Sequence, residues 1–270
     1  MDKLQTIERL KSLGLAPQKM FGQNFLVSTS VAESITRLVI NDQSKIIYEI
    51  GPGLGALSQH LVKAKKTIKL VEIDHGLAKY LTSEFNHLEH VEVIDLDVLK
   101  LSFADQALSV VSNLPYYITT AIIEKVILEN KQLVNFVFMV QEEMKERLLA
   151  SPKSKQYGPL TILLALTGKL EHVINVDRSA FYPVPNVNSS VYSFKLVPHN
   201  LEIERMYKFI KALFLMRRKT ILNNLNTLVS NKEIREKIIY NSGISLNARP
   251  EELEPDKFVD LYNNFMALTH

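Results

Sequence analysis

The chain has 270 residues, 46% of them hydrophobic and 23% charged, a length and balance that fit a main globular domain with a smaller one attached and exclude disordered or collagen-like chains. It contains no cysteine, so disulfides, thiolate catalysis and Cys-ligated metal centres are excluded together. The 32 basic and 29 acidic side chains leave a net charge of +3, too small a bias to identify a nucleic-acid partner by itself. No apolar run approaches the roughly 18 residues that span a bilayer. The opening residues Met1 to Gln5 lack the apolar stretch of a secretory signal. The expectation is a cytosolic protein that works as a monomer, away from membranes.

In chain order, Leu4, Ile7, Leu10 and Leu13, then Val31, Ile35, Leu38 and Val39, recur at helical spacing. Between them Pro17 to Ser28 is polar and contains a glycine, and it reads as a loop. Short β-rich runs then alternate with helical stretches: Ile46 to Ile50, Thr67 to Ile73, Val91 to Ile94, Leu108 to Ser112 and Val134 to Val140. That alternation predicts parallel strands joined by crossover helices. Val173 to Val176 and Ser190 to Val197 add two further strand candidates. Beyond Pro198 helical periodicity takes over through Tyr207, Ile210, Leu213, Phe214, Ile221, Leu225 and Leu228 to Phe258, Leu261, Tyr262 and Phe265. A boundary is therefore expected there, with an α/β domain over 1–198 and a helical one over 199–270.

The first chemical signal is Ile46 to Ile50 running into Gly51-Pro52-Gly53-Leu54-Gly55, with a helix expected over Ala56 to Lys65. Glycines at a strand end let backbone approach a ligand closely, and in an open α/β sheet ligands sit beyond the carboxyl ends of the strands. The spacing is G-x-G-x-G, Pro52 lacks an amide donor, and no G-K-[ST] follows. Those features disfavour a dinucleotide and a triphosphate loop. Glu72, ending the next strand, offers a carboxylate to ribose hydroxyls, and a carboxylate of Asp95-Leu96-Asp97 after the third strand can accept from an adenine amino group. Glycines, an acid and another acid on successive strand ends suit an adenosyl cofactor without a pyrophosphate, namely S-adenosylmethionine.

The fourth strand ends in Ser112-Asn113-Leu114-Pro115-Tyr116-Tyr117, similar to the N/D/S-P-P-Y/F/W signature of methyltransferases that modify exocyclic or amide nitrogens. Such an amine is a poor nucleophile because its lone pair is delocalised. If the Asn113 side-chain oxygen and the Leu114 carbonyl accept its two N–H bonds, the nitrogen can pyramidalise toward a sulfonium methyl group. Pro115 fixes the turn that aims the preceding carbonyl inward, and Tyr116 offers a face for a base.

Taken together these segments resemble the ribosomal RNA adenine dimethyltransferases, most closely the branch that dimethylates two adjacent adenosines near the 3′ end of 16S rRNA in the 30S ribosomal subunit. The resemblance runs nearly end to end. It covers Phe21 to Leu26, Glu49 to Gly55, Val71 to Asp74, Asp97 to Leu99, Asn113 to Tyr117, Met139 to Gln141, Tyr157-Gly158, Phe181 to Ser189, and Phe214 to Leu225 with Arg217-Arg218-Lys219 and Asn223-Asn224. It implies a Rossmann-like class I S-adenosylmethionine-dependent methyltransferase sheet, of α/β class, with a small all-α C-terminal domain. By matched position, Asn24 and Leu26 would bracket the methionine end of the cofactor over Gly51, and Glu72 would hold the ribose. Asp97 would take the adenine amine and Val98 a backbone contact, with Gly53 and Ile73 completing the set. Asn113 would join cofactor and target, and Tyr116 and Phe181 would sandwich a flipped adenine.

The stretch from Pro198 to Tyr240 is locally basic, with Arg205, Lys208, Lys211, Arg217, Arg218, Lys219, Lys232, Arg235 and Lys237 against Glu202, Glu204, Glu233 and Glu236. Lys19, Arg147, Lys153, Lys155, Arg217, Arg218 and Lys219 are the candidates for phosphate contacts, and the helical domain would cooperate with the α/β domain to grip structured RNA. The histidines show no metal-ligand spacing, so no metal is expected. Three alternatives stay open: an Erm-type enzyme acting on 23S rRNA, a ribosome-assembly or transcription factor that kept the fold without catalysis, and a nicotinamide dehydrogenase.

Overall fold

A computed structural model describes residues 2–17 and 23–269. Lys19, Phe21 and Gly22 lie outside the described residues. The chain divides into two compact units, one formed by 1–145 and 169–196, the other by 146–168 and 197–270.

The first unit opens with helix α1 (Lys3–Ser12), which Asp2 caps by accepting from the Gln5 amide at 2.9 Å. A two-residue strand, β1 (Phe25–Leu26), follows and leads into α2 (Thr29–Ile40), capped by Ser28. Strand and helix then alternate through β2 (Ile46–Ile50), α3 (Ser58–Leu61), β3 (Thr67–Glu72), α4 (His75–Phe85) and β4 (Val91–Asp95). They continue with β5 (Leu108–Asn113), α5 (Thr119–Glu129), β6 (Leu133–Gln141) and α6 (Glu143–Leu148). After α7 (Pro159–Thr167) come β7 (Gly168–Val176), β8 (Phe181–Tyr182) and β9 (Ser189–Leu196).

Seven strands form one sheet in the order β4-β3-β2-β5-β6-β9-β7, and β1 pairs separately with β8. Strands β2 to β6 are parallel neighbours, and β9 runs antiparallel to β6. Every residue of β2 is buried, which is what a central parallel strand covered on both faces requires. The chain leaves β2 toward β3 and β4, then returns to place β5 on the other side of β2. The order therefore reverses between β2 and β5, and the crevice beyond their carboxyl ends is where such sheets bind ligands.

Two expectations change here. The helix expected over Ala56 to Lys65 is α-helical only at Ser58–Leu61; it has no side-chain cap, and the Ser58 hydroxyl donates instead to the buried Glu49 carboxyl at 2.6 Å. The loop expected over Pro17 to Ser28 holds β1, whose partner lies far along the chain at β8.

The second unit contains α7, α8 (Ile203–Leu213), α9 (Ile221–Asn224), α10 (Lys232–Asn241) and α11 (Pro255–Thr269) around a core of Tyr157, Ile162, Met206, Phe209, Ile210, Leu213, Ile221, Leu225, Phe258 and Leu261. Its late border, between Leu196 and Val197, lies near the expected one, but 146–168 belongs to this unit and not to the α/β unit. The cause is composition. Helix α7 reads PLTILLALT and buries Leu160, Thr161, Ile162, Leu163, Leu164 and Thr167, so it has no broad polar face to leave in water. Just before it, Tyr157 is buried in the helical core and its hydroxyl donates to the Leu253 carbonyl at 2.8 Å.

Candidate functional site

At the reversal of strand order the first unit has a cleft of about 900 Å³ including its mouth. Its wall is built mainly from Gln23 to Leu26, the turn after β2 and the turn after β5, with Thr6 of α1, Glu72 and Ile73 at the end of β3 and Leu77 of α4 completing it. Gly51 and Gly53 take φ of +66° and +59°, a left-handed conformation that side chains rarely adopt. A Cβ on Gly51 would project into open space, so any side chain there would intrude on the cleft; a Cβ on Gly53 would press the Phe25 ring at 3.2 Å.

Glu72, at the end of β3, is only 4% exposed yet lines the cleft. Its carboxylate accepts from the Gly53 amide at 3.0 Å and the Asp74 amide at 2.9 Å. Burial raises its pKa, and those two amides oppose the rise. Asp74 has a different task, capping α4 through the Gly76 and Leu77 amides. Glu49 also faces the cleft, and burial pushes its carboxyl up to about 8, against the lowering effect of the Ser58 hydroxyl and with a smaller push from Glu72. Among the described residues lining the cleft two are carboxylic acids and none is lysine or arginine. Such a wall offers no cationic side chain to neutralise a pyrophosphate.

Asn113 closes β5. Its side-chain NH2 donates to the Asn24 carbonyl at 3.1 Å, and its Oδ1 is buried with no hydrogen-bond partner. The turn beyond it is fixed on both sides: the Leu114 amide donates to the Met139 carbonyl at 3.0 Å, and the Pro115 carbonyl accepts from the Thr119 hydroxyl at 3.0 Å. Tyr116 lines the cleft with its hydroxyl turned into the protein. Burial raises that phenol's pKa, and neighbouring Ser189 opposes the rise without meeting hydrogen-bond geometry.

The cleft thus gathers Asn24, Leu26, Gly51, Gly53, Glu72, Ile73, Asn113, Leu114, Pro115 and Tyr116 from the expected site. Three expected residues are not brought to its wall. Asp97 instead caps a turn at the neighbouring strand end, accepting from the Leu99 amide at 2.9 Å, and Val98 is buried there. Phe181 is 0% exposed, opposite Leu26 in the β1–β8 pair and within the apolar core, and presents no face to a base. Residues not assigned beforehand also line the cleft, among them Thr6 of α1, Glu49 and Tyr117. Tyr117 is 52% exposed, and burial first, then the charges of Asp97 and Glu72, raise its pKa. Its place in the run Pro115-Tyr116-Tyr117 was the available signal; Thr6 had none.

In the helical unit Arg147, Lys153, Lys155, Arg218 and Lys219 are exposed. Arg217 is not a free cation: its guanidinium bonds the Glu251 carboxylate at 2.5 Å, the Ser154 carbonyl at 2.7 Å and the Lys155 carbonyl. Its expected role as a phosphate contact gives way to that of a tie within the unit. The Lys153 amide also donates to the Glu251 carbonyl at 2.7 Å, so the 153–155 loop and the 217–219 turn lie side by side. Asn224, fully buried, holds that turn by donating to the Met216 and Thr220 carbonyls and accepting from the Met216 amide.

The sheet order, the glycine turn and the Asn-Leu-Pro-Tyr strand end define a class I methyltransferase fold. Two solved structures share it: a dimethyladenosine transferase from Plasmodium falciparum, with a TM-score of 0.76 at 24% identity over 91% of this chain and 98% of that one, and the 23S rRNA methyltransferase ErmE, with a TM-score of 0.63 at 23% identity over 90% and 100%. The family model for ribosomal RNA adenine dimethylase matches residues 15–267, and the chain belongs to that family. The Ribosomal RNA small subunit methyltransferase A of Fusobacterium nucleatum is 37% identical over 258 residues, 92% of this chain and 97% of that protein. Among the described residues no helix is long and apolar enough to cross a membrane.

Proposed function

We propose that this protein transfers methyl groups from S-adenosylmethionine to the exocyclic amines of two adjacent adenosines near the 3′ end of 16S rRNA, within the 30S subunit and as a monomer in the cytoplasm. The observation that carries the reading is the buried, unpartnered Asn113 Oδ1 at the cleft, with the amide nitrogen of the same side chain already committed to Asn24. An oxygen held dry and unpaired is an acceptor waiting for an N–H donor.

The residues present fit the cofactor. Glu72 would accept the ribose hydroxyls, Gly51 leaves room beside the methionine end, and Asn24 and Leu26 close the wall. Asp97 and Val98 would reach the adenine from the adjoining strand end. Bound S-adenosylmethionine supplies an electrophilic methyl carbon. The chain's own part is to bind and orient the amine: Asn113 Oδ1 and the Leu114 carbonyl would accept its two N–H bonds, drawing the nitrogen lone pair out of conjugation. With the amine so held, the chain would need no strong general base of its own, because the methylated amine would give up its proton to solvent. Tyr116 would support the base, and Phe181 would have to leave the core to take the opposite face. Arg147, Lys153, Arg218 and Lys219 would meet RNA phosphates, with Lys19 a further candidate.

Incubation with labelled S-adenosylmethionine and undermethylated 30S subunits, followed by mapping, is expected to show dimethylation at the two adjacent adenosines. Asn113→Ala is expected to lower the rate by on the order of a hundredfold or more. Methylation confined to protein-free 23S rRNA, or full activity of Asn113→Ala, would overturn the proposal.

A further inference from the structure

Besides Asn113 Oδ1, the Tyr116 hydroxyl and the Ser189 Oγ are buried without a hydrogen-bond partner. A buried hydroxyl left unpaired costs about 1–3 kcal/mol, so each needs a reason to persist. The proposed amine contacts explain Asn113 but neither hydroxyl. Strand register places Asn113 and Ser189 at one rim of the sheet, and Tyr116 lies in the turn that leaves β5 three residues after Asn113. Asn113 is level with Met139 of β6, and Ser189, the first residue of antiparallel β9, is opposite Gln141 at the end of β6. Ser189 is 1% exposed. The backbone before it is pinned, since the Asn188 carbonyl accepts from the Glu142 amide at 3.0 Å and the Asn188 side chain from the Arg178 amide at 3.0 Å. Tyr116 shows its ring to the cleft while its hydroxyl turns inward, toward Ser189.

We propose that Ser189 is a positioning residue for methyl transfer: its fixed hydroxyl captures the Tyr116 hydroxyl when a purine enters the cleft and holds the Tyr116 ring flat against the base beside Asn113. The inference rests on the functional reading above. Ser189 touches neither base nor cofactor in this role and acts through Tyr116. A serine kept solely as a core spacer would be better replaced by alanine, which fills nearly the same volume and buries no hydroxyl. The two roles therefore predict opposite relations between stability and turnover.

Ser189→Ala is expected to keep or raise the thermal midpoint and to leave S-adenosylmethionine affinity, by calorimetric titration, unchanged. It is expected to lower kcat on undermethylated 30S subunits about tenfold, the worth of one lost hydrogen bond. Tyr116→Phe should cause an equal loss, and the double variant no further loss, because both remove one shared contact. A wild-type kcat in Ser189→Ala, losses that multiply in the double variant, or a variant that fails to fold or loses midpoint and cofactor affinity together would overturn the inference. Wild-type protein that leaves 30S subunits unmethylated would overturn the functional reading and this inference with it; wild-type methylation with an unaffected Ser189→Ala overturns this inference alone.

Discussion

The Asn113 side chain is oriented by a main-chain acceptor: only its NH2 can bond the Asn24 carbonyl, so Oδ1 must face the other way. The residue type and its chemistry were legible in Asn-Leu-Pro-Tyr, but the orientation was not, because the partner lies far away in sequence. Glu49 shows the same limit, since its position before the glycine turn says nothing of its burial. With its pKa raised by burial from 4.5 to about 8, the folded state holds a proton that the unfolded chain has released across that window. Stability therefore falls as pH rises through it, with a slope of at most about 1.4 kcal/mol per pH unit, and Glu72, also raised, adds a fall of the same sign. Glu49→Gln removes the first contribution and keeps an oxygen for Ser58. Its thermal midpoint is expected to decline less than that of the wild type between about pH 5 and pH 8; parallel midpoint curves would refute the assignment.

Among the elements, β2, β3 and β5 announced themselves as apolar runs bounded by polar turns, and α2 and α8 by their periodicity. The short pair of β1 and β8 left no such trace, because two residues cannot display a period. Yet this pair carries Asn24 to Asn113. Leu26 is opposite Phe181, and the adjoining Val27 amide donates to the Ala180 carbonyl at 2.8 Å. The complete burial of Phe181 anchors the pair in the core. Val27→Pro deletes that donor while Leu26 already has the strand conformation that a following proline requires. The expected result is faster amide exchange at Asn24 to Leu26 and a kcat lower by about tenfold, from loss of one hydrogen bond that keeps Asn24 in place. Unchanged exchange together with unchanged kcat would show that the pair does not position Asn113.

At the scale of the whole molecule, each unit has its own apolar core, and the helical unit recruits 146–168 from the middle of the chain. Local periodicity located the later border but could not reveal that recruitment, because the destination of an all-apolar helix depends on tertiary packing. The same packing divides the basic run Arg217-Arg218-Lys219 into separate roles. Arg217 satisfies one carboxylate and two carbonyls inside the unit, whereas Arg218 and Lys219 stay exposed on a turn fixed by Asn224. Removing Arg217 leaves Glu251 and two carbonyls without that partner, so Arg217→Ala is expected to lower stability by on the order of 2 kcal/mol. Under conditions where the variant remains folded, the salt dependence of RNA binding should stay near wild type. Arg218→Ala with Lys219→Ala should do the reverse, leaving the thermal midpoint in place and flattening the slope of log affinity against log salt by about 1.5, the release expected for two phosphate contacts. S-adenosylmethionine affinity should not move in the double variant, because neither residue lines the cleft. Titrations across a range of salt concentrations distinguish the roles: a slope that drops for Arg217→Ala and holds for the double variant would reverse the assignment.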